Sequence, residues 1–277
     1  VTSTGSAGPT LARAPALPSL LAAAHGGPAL AVTVVAALLG VAADLPPPTL
    51  ALVTAAVLAG QLTIGWGNDL VDARRDHDVG RRDKPLATGA LSRSLVVGCL
   101  VGAAAVCVVL SAALGGRSAA VHLGLVVAMG HAYNLGLKAT AWSWFPYAVA
   151  FGSLPAVVSL AGGRWPGWWL LATGALLGVG AHLLNALPDL ADDVRTGVRG
   201  LPHRLGATAS RVLAAGLLAT ASVLAVVGPG GEPPLWAWPV LALVAALATA
   251  AVLGRGRLPF QAAMAIALVD VVLLVAR

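Results

Sequence analysis

Nine apolar stretches follow one another along this chain, with approximate cores at 18–43, 47–65, 92–114, 118–137, 143–161, 167–188, 206–228, 235–254 and 258–276. Each holds about the 20 residues that a helix needs to cross the hydrocarbon core of a bilayer. A water-soluble fold would have to cover all nine, and a soluble domain carries roughly a quarter charged residues for that purpose. Here only 10% of the 277 residues are charged and 58% are hydrophobic. The pattern predicts an all-α integral membrane bundle of about nine transmembrane helices. The first and fifth segments are interrupted, by Gly26-Gly27-Pro28 and by Pro155. A membrane helix tolerates such breaks where neighbours or water satisfy the freed carbonyls; a re-entrant segment is the alternative at either place.

Residues 1–17 are rich in Ser, Gly, Ala and Pro and are expected to form a disordered tail, leaving 18–277 as a single transmembrane domain. Arg13 precedes a segment long enough to span, which is not the pattern of a cleaved signal peptide. Cys99 and Cys107 share one apolar segment. On a helix they stand about 12 Å apart along the axis, too far for a disulfide, and read as small core residues.

The formal net charge of +6 raises nucleic acid as a partner, but the basic residues lie in short loops between apolar segments, as membrane topology requires. With the N-terminus in the cytoplasm, 14 basic residues fall inside and Arg117, Arg164 and Arg277 fall outside. Lys and Arg are concentrated on the cytoplasmic side of membrane proteins, so the N-terminus is expected inside and the C-terminus outside. The expected setting is a bacterial plasma membrane, with lipid and no nucleic acid as surroundings. Oligomeric state is not encoded in this pattern.

Two loops are long and charged, roughly 66–92 and 189–206, and they hold eight of the eleven acidic residues. The segments leading into them repeat one frame: Asn, three residues, Asp, three residues, Asp, three residues, Gly. Its members are Asn68, Asp72, Asp76 and Gly80 after the second segment, and Asn185, Asp189, Asp193 and Gly197 after the sixth. With ten aspartates in the chain, this repetition indicates an internal duplication in which the second and sixth helices occupy equivalent places. Residues four apart on a helix share one face, so each motif forms a ladder of oxygen ligands. Stacked carboxylates repel unless a cation sits among them. Mg2+ takes oxygen ligands, keeps several waters and bridges carboxylates to phosphates. The competing reading is a solvated charge run at a membrane surface; its appearance twice, at the same ends of two hydrophobic helices, favours the ligand ladders.

Asn68-Asp69-x-x-Asp72-x-x-x-Asp76 resembles the first signature of the UbiA superfamily of intramembrane prenyltransferases, and Asp189-x-x-x-Asp193 resembles the second. Arg82-Asp83-Lys84-Pro85-Leu86-Ala87-Thr88-Gly89 is similar to the Arg-Pro-Leu-x-x-Gly element of that family, with Lys84 in place of the usual Arg. The resemblance covers nearly the whole chain. It implies Mg2+-dependent ionisation of a prenyl diphosphate and capture of the allylic cation by an aromatic or other lipophilic acceptor. It further implies catalytic roles for Asp72, Asp76, Asp189 and Asp193, and metal ligation by these four with Asn68, Asp69 and Asn185. Lys84, Arg82, Lys138 and Arg199 are the expected diphosphate contacts; each could equally be a topology or headgroup charge.

Several residues stay open between two roles. Tyr133 and Lys138 are five apart where many family members have four, and Lys138 could instead be a snorkelling anchor. His182, one turn before Asn185, is either an acceptor-activating base or a packed histidine. Asp270, flanked by Leu268, Val269, Val271 and Val272, is an intramembrane acid and hence a functional candidate. The tryptophans and other aromatics fit either cation stabilisation or an interfacial belt. A terpene cyclase on the same scaffold and a transporter using the acids to bind a cation are the rival functions.

Overall fold

The computed structural model describes residues 16–195 and 197–275, so most of the expected N-terminal tail lies outside the described residues. Among these residues every regular element is helical. Helices α1 (Ala16–Ala23) and α2 (Gly26–Ala42) meet at 73°. The break falls at His25, which has φ 52°, just before Gly26-Gly27 and Pro28, whose ring nitrogen has no hydrogen to give a helix. The Trp66 indole donates to the Leu20 carbonyl at 3.0 Å, and Gly65 has no side chain to collide with the Ala24 carbonyl. Those two contacts set α1 and the turn after it against the helix that carries Gly65 and Trp66.

Helix α3 (Pro47–Asp78) opens on Pro47, where a missing N–H costs nothing. Its 32 residues rise about 48 Å, against about 30 Å for a hydrocarbon core, so the charged end projects well past the apolar segment. Helix α4 (Arg93–Ala113) starts at Ser92, whose hydroxyl accepts from the Leu95 amide. Next come α5 (Gly116–Val121), a π-helical turn (His122–Val127) and α6 (Ala128–Asn134) as one continuous run, then a short 3-10 turn (Leu137–Ala139). Helix α7 (Phe145–Ala161) contains Pro155 without breaking. Helix α8 (Trp168–Asn185) is followed by a 3-10 turn (Leu187–Asp189) and α9 (Leu190–Arg195). Helix α10 (Leu201–Val227) is kinked at Gly206, and α11 (Ala237–Leu253) and α12 (Leu258–Val275) complete the chain.

By length and apolarity, α3, α4, α8 with its following turn, and α10 are each able to cross a membrane, and the bent α1–α2 pair makes a fifth if it is one span. Helices α7, α11 and α12 are shorter apolar helices. Each apolar stretch of the sequence corresponds to a helical run, but the number of crossings expected from the sequence exceeds the number that length alone establishes. The apolar faces pack into two main cores. One joins α2, α3 and α7 around Val53, Val57, Leu154 and Val157. The other joins α8, α10, α11 and α12 around Leu183, Leu218, Val244 and Ile266.

Helices α7 and α8 join these halves. A Cβ on Gly178 would lie 2.6 Å from the Tyr147 carbonyl, and small residues let helices approach this closely. Cys107 is buried beside Ser111 and Cys99 is half-buried, both as free thiols. Asp270 is buried on α12, and neither of its carboxyl oxygens has a hydrogen-bond partner among the described residues.

Candidate active site

The end of α3 carries Asn68, Asp72 and Asp76 on successive turns of one face. Asp72 is buried, and the Lys138 ammonium donates to its two oxygens at 2.5 and 2.6 Å. Arg75 donates to the same carboxylate at 3.1 Å, as does the Asn68 amide. Asn68 also donates to Asn134, whose own amide donates to the Ile64 carbonyl. Asp76 is buried with Arg75 at 3.8 Å. Asp69 points to another side of the helix. Its carboxylate is buried, lacks hydrogen bonds, and lies 3.2 Å from the Lys84 ammonium. Lys84 in turn stands 2.9 Å from His25 Nε2.

The second motif does not continue its helix. Pro188 would clash with the carbonyl four residues back and offers no N–H, so α8 stops at Asn185 and a 3-10 turn carries Asp189. Asp189 is about half exposed and meets Arg81 at 3.3 Å, while Asp193 on α9 lies 3.4 Å from His203. Both motifs close on the same turn. Gly80 and Gly197 have φ of 70° and 83°. The Arg81 amide donates back to Asp76 and the Val198 amide to Asp193, each at 2.9 Å. This left-handed glycine cap is the structural counterpart of the repeated frame.

The two motifs meet at one cavity of about 320 Å³, lined by Asn68, Asp72 and Asp76 from one side and Asn185, Asp189 and Asp193 from the other. Arg75, Arg81, Lys84 and Lys138 line it too, so its four carboxylates face four cations. Below this polar layer the walls are apolar and aromatic, including Tyr133, Tyr147, Phe151 and Leu154. Arg81 grips Asp83 through two hydrogen bonds of 2.9 Å, which hold the Asp83 carboxyl down at about 2 and raise the guanidinium further above its ordinary value. Burial presses the Lys138 ammonium below its ordinary value, with Asp72 pulling against it. Burial likewise holds the Asp193 carboxyl above the usual range.

Six of the seven expected ligand residues line the cavity, with Asp69 set behind Lys84. Of the expected diphosphate contacts, Lys84 and Lys138 line it, whereas Arg82 and Arg199 are exposed and do not. Arg75, Arg81, His25, Asn134 and His203 line it as well. His182 is buried, 3.0 Å from Ser143 Oγ, which also accepts the Leu201 amide at 2.8 Å. Tyr147 and Tyr133 pack on its ring. Trp142, Trp144 and Phe145 form a separate cluster beyond the 3-10 turn.

Among the described residues, no three His, Cys, Asp or Glu side chains form a ready metal cluster. The donor set nonetheless suits a hard cation: carboxylate and amide oxygens with no thiolate. Mg2+ typically takes one or two carboxylates and completes its shell with water and substrate phosphates, so such an ion needs no preformed cage.

The family model described as UbiA prenyltransferase family matches residues 15–269. A UbiA homologue from Archaeoglobus fulgidus bound to GPP and Mg2+ superposes with a TM-score of 0.71 at 15% identity, covering 93% of this chain and 98% of that one. The apo structure of a UbiA homologue from Aeropyrum pernix K1 gives 0.72 at 19%, covering 90% and 98%. A structure concerned with digeranylgeranylglyceryl phosphate synthase gives 0.65 at 16%, covering 94% and 97%. At these identities the likeness establishes the fold. No curated protein sequence matches the chain.

Proposed function

The chain belongs to the UbiA prenyltransferase family, and on that premise we propose that it transfers a prenyl group from a prenyl diphosphate to an aromatic or other lipophilic acceptor, with Mg2+ as cofactor. The observation that carries this reading is the single cavity in which both aspartate motifs face four basic side chains above an apolar floor. Structures of relatives bound to GPP or DMAPP with Mg2+ support the donor class and the metal.

In this reading the metal-holding residues are Asn68, Asp72, Asp76, Asn185, Asp189 and Asp193, with Asp69 acting by anchoring Lys84. Bound Mg2+ supplies Lewis-acid neutralisation of the diphosphate. Lys84, Lys138, Arg75 and Arg81 bind its oxygens through charge-assisted hydrogen bonds. Arg82 and Arg199, exposed and adjacent in sequence to lining residues, attract the anionic donor from solution. The C1–O bond of the donor breaks and its electron pair leaves with the diphosphate. The faces of Tyr133, Tyr147 and Phe151 stabilise the allylic cation. A carbon or oxygen of the acceptor gives an electron pair to C1 and sheds a proton. The nine apolar runs each cross a bacterial plasma membrane in this reading, with the N-terminus and the cavity mouth on the cytoplasmic side.

The test is pyrophosphate release by purified protein, with and without lipid-extract acceptors. Release should require Mg2+, cease in EDTA and return when Mg2+ is restored. Release from no donor under these conditions overturns the reading, and a hydrocarbon product formed without acceptor points to a cyclase.

A further inference from the structure

The apolar part of the cavity has a measurable depth. Its upper limit is a set of polar side chains: His25, Asn68 and Asn134. Asn68 is hydrogen-bonded to Asn134 and to the Asp72 carboxylate, and His25 stands 2.9 Å from the Lys84 ammonium, so these side chains belong with the diphosphate layer. The deepest lining residues are Val32 on α2, Gln61 on α3, Val126 on the π-helical turn and Leu154 on α7. From His25 to Val32 and from Gln61 to Asn68 is seven positions in each case. Seven helical residues rise about 10 Å.

What lies beneath is solid. One turn further from the mouth stand Ala36, Val57, His122 and Val157, all fully buried in the packed interior, and none of them lines the cavity. Val126 and Leu154 are themselves only 3% and 2% exposed, so they close the floor. Interiors at this packing density do not admit extra methylenes without displacing side chains. An extended isoprene unit adds about 5 Å at ordinary bond lengths.

Resting on the prenyltransferase reading, we infer that this site takes short allylic diphosphates of one or two isoprene units, and that Leu154 and Val32 set that limit. A donor of three units presses on the floor. One of four or more has to push the floor apart or leave the cup between helices.

The experiment is kcat/KM for pyrophosphate release across dimethylallyl, geranyl, farnesyl, geranylgeranyl and long polyprenyl diphosphates, all with Mg2+ and the same acceptor extract. The expected order places geranyl or dimethylallyl diphosphate first and geranylgeranyl and longer donors at least about tenfold lower. Leu154→Ala should narrow the gap between geranyl and geranylgeranyl donors. Val32→Ala, at a less buried position and so gentler on the fold, should narrow it in the same direction. Equal or better turnover of four-unit or longer donors overturns the inference while leaving the activity intact, as does an unchanged ratio in both variants. Absence of release from every donor overturns the activity itself.

Discussion

The two aspartate motifs share a residue frame and a closing turn, yet one stands on an unbroken helix and the other does not. In the first, α3 runs through Asn68, Asp72 and Asp76 without interruption, and Asp72 is buried under Lys138, Arg75 and Asn68. In the second, Pro188 ends the helical register after Asn185, and Asp189 turns out to a half-exposed contact with Arg81. The glycine caps at Gly80 and Gly197 remain alike. A repeated frame therefore fixes how each motif ends, while one proline decides how its carboxylates are presented. The first motif is a rigid, neutralised wall; the second is more open, facing it across the cavity.

The largest expected effect separates the two in stability rather than activity. Asp72→Ala and Asp189→Ala should each abolish Mg2+-dependent turnover, by about two orders of magnitude or more. Asp72→Ala also strips the buried Lys138 of its partner, which costs about 3–5 kcal/mol. Asp189→Ala removes an open contact worth about 0–1 kcal/mol. Thermal unfolding in detergent checks the contrast, and equal losses in both variants would erase the distinction between wall and open side.

A smaller effect tests Lys84, which belongs to neither ladder but joins the first through Asp69. Lys84→Ala should raise the donor KM, with a loss of about 1.5–3 kcal/mol of charge-assisted contact, and it also leaves the buried Asp69 carboxylate without its cation, whereas Lys84→Arg should be mild. An arginine variant as damaged as the alanine one would contradict the role of Lys84 as a diphosphate contact.

The smallest effect probes what the motifs share. Nothing lies within 4 Å of a Cβ placed on Gly80 or Gly197, so alanine at either meets only the positive φ, at about 1 kcal/mol. Both variants should lose the same stability. A large difference between them would mean that the turns are not equivalent.

Much of this was legible in the sequence. The nine apolar runs locate the helices, and the frame locates six Asn and Asp side chains that line the cavity. The directions of neighbouring side chains were not. Arg81 and Arg82 are adjacent and alike in sequence, and it is the turn at Gly80 that sends Arg81 into the cavity and leaves Arg82 outside. His25 and Asn134 join the site only because a helix break and a distant helix place them there. The broken second ladder had a visible cause in Pro188, but periodicity alone treats Asn185, Asp189 and Asp193 as one face.

The central claim is that both motifs hold one diphosphate, and ligand-linked stability tests it most directly. A ligand that binds only the folded state raises its apparent stability by mass action. Thermal stability in detergent should rise strongly with Mg2+ and a non-hydrolysable prenyl diphosphate together, and little with either alone. Asp72→Asn combined with Asp76→Asn should abolish that synergy although the second motif is intact. A synergistic shift that persists unchanged in this double variant would contradict a shared site.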